Sequence, residues 1–270
     1  MERRLGLMCG AGPLPARMAQ AARRQGWRVW AFAFPGADDL APHADRVVPS
    51  RITEAAAVLA ALQADGVSAA LFGGRFSMSE VLQADARTAD ATSRRIGEHA
   101  GSRVDAKLLE AIVALFASIG VEVLDQRPFV GDLAPAGPLG SRSPSDAEAA
   151  DVRRGLVAAR MAADAGIGQT VVVRHGVVVA VEAVEGTTAA IGRGTSLAGP
   201  GAVVVKAVAR DHDYRFDTPT VGVETVAAAA DGRAAVVAVE AGRVLVVDRE
   251  ATARAADAAG IALVGVDALA

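Results

Sequence analysis

Asp211, Asp213 and Asp217 fall within one short segment, with His212 and Arg215 among them and Lys206 just upstream. Carboxylates bunched on a loop suit a hard cation such as Mg2+, which prefers oxygen ligands and usually keeps several waters. An ion there can polarise a phosphoryl oxygen and help ionise a water. Lys206 and Arg215 can then neutralise charge developing on phosphate. The same composition also describes a solvated, charged loop, because no fixed ligand spacing is present. Pro219 adds a constraint: it holds Thr218 extended and gives the loop a reproducible shape.

A second constellation is Glu182 with Glu185-Gly186-Thr187. Glu182 ends a Val-rich strand, so its carboxylate belongs at a sheet edge. Glu185 either ligates a metal or caps the helix that follows. The amide of Gln169 can read a uracil or sugar edge, or simply complete a turn. A third feature is Gly10-Ala11-Gly12, where a strand passes into a helix. Glycines there let backbone N–H groups approach an anion at the helix N-terminus. A tight turn with no ligand explains the same residues. The dinucleotide fingerprint is not met, since Pro15 stands where its third glycine belongs and no acid ends the second strand. A nicotinamide-dependent oxidoreductase is disfavoured accordingly. Gly73-Gly74-Arg75 ends another strand at the same expected edge.

Other chemistries are poorly supplied. His43, His99, His175 and His212 are scattered, and the one cysteine, Cys9, sits in an apolar strand. That argues against a zinc site, a disulfide framework and a thiol nucleophile. A formal net charge of −3 and 4% aromatic residues exclude a broad basic or base-stacking surface for nucleic acid. With 52% hydrophobic residues in 270, a large core can form. No unbroken apolar run approaches the ~20 residues of a membrane-spanning helix. A soluble cytoplasmic protein is expected.

These residues need elements to place them. In the first half, strands at Leu5–Cys9, Arg28–Phe34, Arg46–Val48, Val67–Phe72 and Val121–Leu124 alternate with helices at Pro13–Gln25, Thr53–Ala64 (capped by Thr53) and Asp105–Ser118. That pattern implies a Rossmann-like, mainly parallel sheet covered on both faces. The Pro- and Gly-rich stretch Gln126–Pro144 reads as a linker, giving an N-terminal domain over 1–137 and a C-terminal α/β domain over 143–270 that carries the acidic site. The second half opens with a helix at Asp146–Ala165. A hairpin follows, Thr170–Arg174 against Val177–Glu182 around His175-Gly176. A short helix at Glu185–Arg193, a strand at Ala202–Val208 and a helix at Val223–Ala230 come next. Ala234–Val239 and Arg243–Val247 read as a second hairpin, and a helix and a strand close the chain. The hairpins make this sheet mixed.

Several short segments, in order and spacing, resemble the LpxI family. They are Leu5-Gly6-Leu7-Met8-Cys9-Gly10-Ala11-Gly12-Pro13-Leu14-Pro15, Ser143-Pro144, Ile167-Gly168-Gln169, Val181-Glu182-Ala183-Val184-Glu185-Gly186-Thr187, Arg215-Phe216-Asp217-Thr218-Pro219-Thr220-Val221-Gly222 and Leu245-Val246-Val247-Asp248-Arg249-Glu250. The resemblance implies Mg2+-dependent hydrolysis (with Mn2+ as an alternative ion) of the pyrophosphate of UDP-2,3-diacylglucosamine, in lipid A biosynthesis. The products would be UMP and 2,3-diacylglucosamine 1-phosphate. The family's essential aspartate falls on Asp217, with Asp213 as a supporting acid. Asp217 and Glu185 are the metal candidates. Gly10, Gly12, Gln169, Thr187, Lys206 and Arg215 are the substrate-binding candidates. The implied partners are the UDP-linked lipid, the inner-membrane surface as a peripheral contact, and a second copy in a homodimer; nucleic acid is not among them. The chain departs from the family pattern at Val104-Asp105-Ala106, at Thr188, at His212-Asp213-Tyr214-Arg215 and at Gly74-Arg75-Phe76. These departures motivate an alternative: a protein of the same fold that binds a nucleotide or lipid phosphate without hydrolysing it, or acts on an altered substrate.

Overall fold

The computed structural model describes residues 2–76, 89–94 and 106–267; His99 and the departure at Val104-Asp105 lie outside them. The chain divides into two compact units. One is Met1–Gly131 with Asp213–Thr218, and the other is Asp132–His212 with Pro219–Ala270.

In the first unit, β1 (Arg4–Cys9), β2 (Arg28–Ala33), β3 (Arg46–Pro49), β4 (Ala69–Gly73) and β5 (Glu122–Val123) form a parallel sheet in the order β3-β2-β1-β4-β5. Side chains alternate across it. Leu5, Leu7 and Cys9 pack with Met18, Ala19 and Ala22 of α1 (Leu14–Arg24). Met8 faces the other way and joins Leu62 of α2 (Ala55–Ala64) and Phe116 of α3 (Ala106–Ser118). Both faces are therefore covered, which is why β1 reads as a continuous apolar run. The expected Rossmann-like arrangement is present. Thr53 does not cap α2, however. The Ala55 N–H donates to Ser93 Oγ (3.1 Å) and the Ala56 N–H to Asp90 Oδ2 (2.8 Å), so the cap comes from a segment distant in sequence.

The segment read as a linker holds the short helix α4 (Arg127–Val130) and the edge strand β6 (Gly137–Pro138). In the second unit, α5 (Asp146–Asp164) starts in a capping box made by Ser145 and Glu148. Strands β7 (Thr170–Arg174), β8 (Val177–Val181), β9 (Val203–Lys206), β11 (Val236–Glu240) and β13 (Ala262–Val266) complete a mixed sheet in the order β6-β13-β11-β9-β7-β8. Because Gly137 and Pro138 pair with Gly265 and Val264, the contact boundary falls after Gly131, earlier than the 137/143 boundary expected.

The β7–β8 hairpin forms as expected, with His175 (φ 51°) and Gly176 (φ 78°) both left-handed, as a type I′ turn requires. The second hairpin does not form. β11 pairs in parallel with β9 and β13, while β12 (Leu245–Val246) pairs with β10 (Thr220–Val221) in a separate ribbon. An apolar run suits a parallel partner as well as an antiparallel one, and alternation alone does not name the partner. Val171, Val173, Val203 and Val205 face α5. Val172, Val204 and Val239 face α6 (Thr187–Ala198), α7 (Val223–Asp231) and α8 (Arg249–Ala258). The predicted helix at Glu185–Arg193 thus starts and ends later, as α6. Gly194 lets α6 lie close on the sheet, since a Cβ there would stand 2.5 Å from Val172 Cγ2.

Residues 213–218 pack with the first unit, not with the C-terminal elements that flank them in sequence. Phe216 packs at a tilt against Phe72 (centroids 5.1 Å apart), and Phe72 against Phe116 (5.7 Å). The Gln126 N–H donates to Tyr214 O at 2.9 Å, and the Arg127 guanidinium lies over the Tyr214 ring. Among the described residues, no helix is long and apolar enough to cross a membrane.

Candidate active site

In the second unit, a row of polar side chains crosses adjacent strands at one sheet edge. Thr170 opens β7 and is the register partner of Lys206, which ends β9. The Glu182 N–H, just past β8, donates to Thr170 O at 2.8 Å. Alternation from Val172, Val204 and Ala180, all in one core, puts Thr170, Lys206 and Glu182 on the sheet face that α6 covers. Lys206 is 7% exposed, and its Nζ donates to Thr187 Oγ1 at 3.1 Å. The Thr187 hydroxyl donates in turn to Glu182 Oε1 at 2.8 Å. Glu182 Oε2 and Thr170 Oγ1 are buried without a hydrogen-bond partner among the described residues. Each such atom costs roughly 1–3 kcal/mol if left dry. α6 opens after Gly186 (φ 84°), and no side chain caps it, so its first-turn N–H groups lack intrahelical acceptors. Gln169 is tied to the same edge, its carbonyl accepting from the Ala207 N–H at 2.9 Å. Three predicted substrate-binding residues, Gln169, Thr187 and Lys206, therefore meet.

Beside this row lies a network the sequence does not announce. Glu240, fully buried at the end of β11, forms an ion pair with Arg160 of α5 and lies 3.6 Å from Arg243. Its Oε2 accepts the Val208 N–H at 2.9 Å. Arg243 also donates to the carbonyls of Ala209 and Arg210. The network thus fixes residues 208–210, which lead from Lys206 toward the acidic segment. Its one sequence signal is a glutamate closing the apolar run Val236-Val237-Ala238-Val239.

The acidic segment is not a carboxylate cluster. Asp213 takes a two-toothed grip on Arg215, with Nε–Oδ1 at 2.9 Å and Nη2–Oδ2 at 2.7 Å. That contact raises the Arg215 pKa and occupies two of the donors expected for phosphate. Asp217 is exposed, held between Phe216 and the buried Thr218, whose Oγ1 has no hydrogen-bond partner among the described residues. Asp125 and Arg127 form a second pair of the same geometry, with Nη2–Oδ2 at 2.5 Å. Glu185 turns to Arg193 (2.5 Å) and to the Ala183 N–H, and the Arg193 contact holds its carboxyl below the usual range. Among the described residues, no three His, Cys, Asp or Glu side chains stand close enough to hold a metal ion. The described side chains alone therefore do not make a Mg2+ cage.

The first unit's glycine turn is mostly self-satisfied. The Gly10 N–H donates to Gly73 O (2.8 Å), and Ala11 and Arg75 exchange backbone bonds of 2.9 and 2.8 Å. A Cβ on Gly10 would stand 2.6 Å from Arg75 O, so glycine serves a close approach between strand ends. Gly12 (φ 94°) makes the turn. Pro13 and Pro15 then withhold two N–H donors from the entrance of α1. Gly12 and Pro13 line a cavity of about 430 Å³ with Arg17, Asp38, Asp39 and His43, and its carboxylates oppose an anion. Burial pushes the Cys9 thiol pKa up, which suits packing.

The chain thus joins a Rossmann-like α/β unit to a mixed α/β unit whose sheet edge sets a buried lysine and two threonine hydroxyls beside a helix entrance. Residues 4–133 match the LpxI N-terminal domain and residues 135–264 the LpxI C-terminal domain. The chain belongs to the LpxI family. It is 36% identical over 283 aligned positions, covering 98% of each chain, to the UDP-2,3-diacylglucosamine pyrophosphatase LpxI of Caulobacter vibrioides. Among solved structures, a CobK precorrin-6A reductase aligns over 99% of this chain and 89% of its own, at 13% identity and a TM-score of 0.35. A glycinamide-RNase-transformylase T from Mycobacterium tuberculosis aligns over 74% and 44%, at 16% identity and a TM-score of 0.24.

Proposed function

We propose that this protein is a hydrolase of lipid A biosynthesis that cleaves UDP-2,3-diacylglucosamine to UMP and 2,3-diacylglucosamine 1-phosphate. The supporting observation is the match to both family domains, together with 36% identity along nearly the whole of a relative bearing that activity. One water is consumed. Its oxygen bonds to one phosphorus, the bridging P–O bond breaks, and the bridging oxygen leaves on the other phosphate. Lys206 and the α6 entrance supply donors for phosphate oxygens, and the Thr187 hydroxyl, which accepts from Lys206 and donates to Glu182, holds the ammonium in place. Asp217, essential by the family resemblance, is assigned the role of orienting the water.

A requirement for Mg2+ or Mn2+ is part of the proposal. The fit is partial: the described residues gather no three-ligand cage, whereas Mg2+ is commonly held by one or two carboxylates plus substrate phosphates. No step is routed through the ion. A cytoplasmic location with peripheral contact at the inner membrane is part of the same proposal, because a substrate with two acyl chains resides in a membrane.

Pure protein incubated with the UDP-linked lipid is expected to release UMP with Mg2+, to stop with EDTA and to resume with Mg2+ or Mn2+. Asp217→Ala should abolish release. UMP release that survives Asp217→Ala removes that residue from its role. Tight lipid binding without any UMP favours the non-hydrolysing alternative.

A further inference from the structure

Helix α5 buries one stripe and leaves another bare. Val152, Leu156 and Ala159 pack on the sheet of the second unit. The opposite stripe holds Arg153, Arg154, Val157 and Met161, with 153, 157 and 161 in line at successive turns. Met161 is 67% exposed and Val157 40%. The chain turns back at Gly166, and the Ile167 N–H donates to Ala162 O at 2.9 Å. Ile167, 53% exposed, therefore stands beside the last turn of α5. Arg153 and Arg154 are exposed, and among the described residues neither has an ion-pair partner. The nearby acids of the same helix are already matched. Asp151 accepts the N–H groups of His175 and Gly176 at 2.9 and 2.6 Å, and Asp164 accepts the Arg210 N–H at 2.9 Å. Leu197 of α6 is equally bare, at 69%, but the arginine one turn before it, Arg193, is bound to Glu185.

Bare apolar side chains next to unmatched guanidinium groups fit a surface that is apolar within and anionic outside. We infer that the outer stripe of α5 is the protein's contact with a lipid surface. Val157, Met161 and Ile167 enter the boundary between headgroups and acyl chains, and Arg153 and Arg154 rest on anionic headgroups. The aliphatic stems of the arginines lie along the apolar layer while their charged ends stay at the level of the phosphates. A second copy of the chain is a poorer occupant. A two-fold contact lays the stripe on itself, and between Ala150 and Asp164 it offers the arginines no unmatched acid. Three apolar side chains also fall short of the roughly 800 Å² per partner that a standard interface buries. The inference goes beyond the proposed reaction and rests on it for its setting, since a diacylated substrate is met at a membrane.

Sedimentation of the full chain with vesicles tests this, using phosphatidylcholine alone and phosphatidylcholine mixed with phosphatidylglycerol. Binding to the anionic vesicles should be about tenfold tighter, and it should weaken as salt is raised. Arg153→Gln with Arg154→Gln should remove that preference. Val157→Ser with Met161→Ser should weaken binding to the anionic vesicles at least fivefold. Leu197→Ser, at an equally exposed site, should change binding less than twofold. All five side chains are exposed, so the variants should fold. UMP release from substrate dispersed in detergent should hold within twofold in every variant, while release from substrate held in anionic vesicles should fall in both double variants. Three results overturn the inference. The unmodified protein stays off the anionic vesicles; binding is unmoved by Val157→Ser with Met161→Ser; or the chain is a dimer that this double variant splits, which gives the stripe to a second copy. Any of these, alongside UMP release from dispersed substrate, leaves the hydrolase reading standing. Vesicle binding that responds to the variants as expected, without any UMP release, overturns the hydrolase reading and keeps the docking stripe.

Discussion

The two units each carry a strand edge that leads into a glycine-opened helix, and the two edges have opposite economies of hydrogen bonds. At Gly10–Gly12 the backbone donors of Gly10 and Ala11 are bonded to β4 and the residues after it, and prolines remove others. At Gly186–Thr187 no side chain caps the helix, and it stands over a buried ammonium, a buried hydroxyl and a buried carboxylate oxygen that the described residues do not fully match. Glycine at a helix entrance marks a close approach or a turn. It marks an anion site only where donors are left over.

The sharpest way to break this contrast is at the charge network that holds the second edge. Glu240→Ala would leave Arg160 and Arg243 without their buried counter-charge. Removing one partner of a buried pair typically costs about 3–5 kcal/mol. Urea unfolding should show a loss of that size. A loss below about 1 kcal/mol would show that residues 208–210 are held by something else.

Lys206→Met should do the reverse. A buried cation is exchanged for an apolar chain of similar length, which is often neutral or stabilising. Its expected cost is catalytic, about 10²–10³-fold in kcat/KM, as for loss of one transition-state donor. Unfolding and kinetics measured on the same preparation check both halves. A large drop in stability with unchanged kcat/KM would make Lys206 a structural residue.

At the first edge the prediction inverts again. Gly10→Ala forces a Cβ to 2.6 Å from the Arg75 carbonyl oxygen. Backbone must move, at a cost of about 1–3 kcal/mol. kcat/KM per folded molecule should hold within twofold. A tenfold loss with little destabilisation would return the turn to the binding machinery.

The sequence makes the N-terminal fold legible because parallel strands buried on both faces read as apolar runs, and Leu5–Cys9 is one. The β7–β8 hairpin is legible because His175-Gly176 sits between two Val-rich runs. Gln169, Thr187 and Lys206 are legible singly, by residue type, but not as neighbours: register pairing of β7 with β9 brings them together, and no local spacing encodes it. Glu240 is hidden by its strand, since one acid after an apolar run reads as an edge residue. The acidic segment misleads for the same reason. Counting carboxylates does not show that Asp213 is bound to Arg215, or that Phe216 carries the segment to the other unit.

The smallest expected effect concerns how that segment is fastened to the first unit. Asp125 bonds Arg127, whose guanidinium lies 4.5 Å from the Tyr214 ring centroid. The Arg127 hydrogen bond holds the Asp125 carboxyl below its usual range, against some desolvation. Its stabilisation is therefore complete above the unfolded value, near 3.9, and is lost as pH falls from there through the lower folded value. Both side chains are more than a third exposed or close to it, so the contribution should stay under about 1 kcal/mol. Arg127→Met should lower stability by that amount at pH 7 and by progressively less below about pH 4. A difference between the two proteins that persists at low pH would assign the fastening to the Arg127–Tyr214 stacking, which does not titrate there.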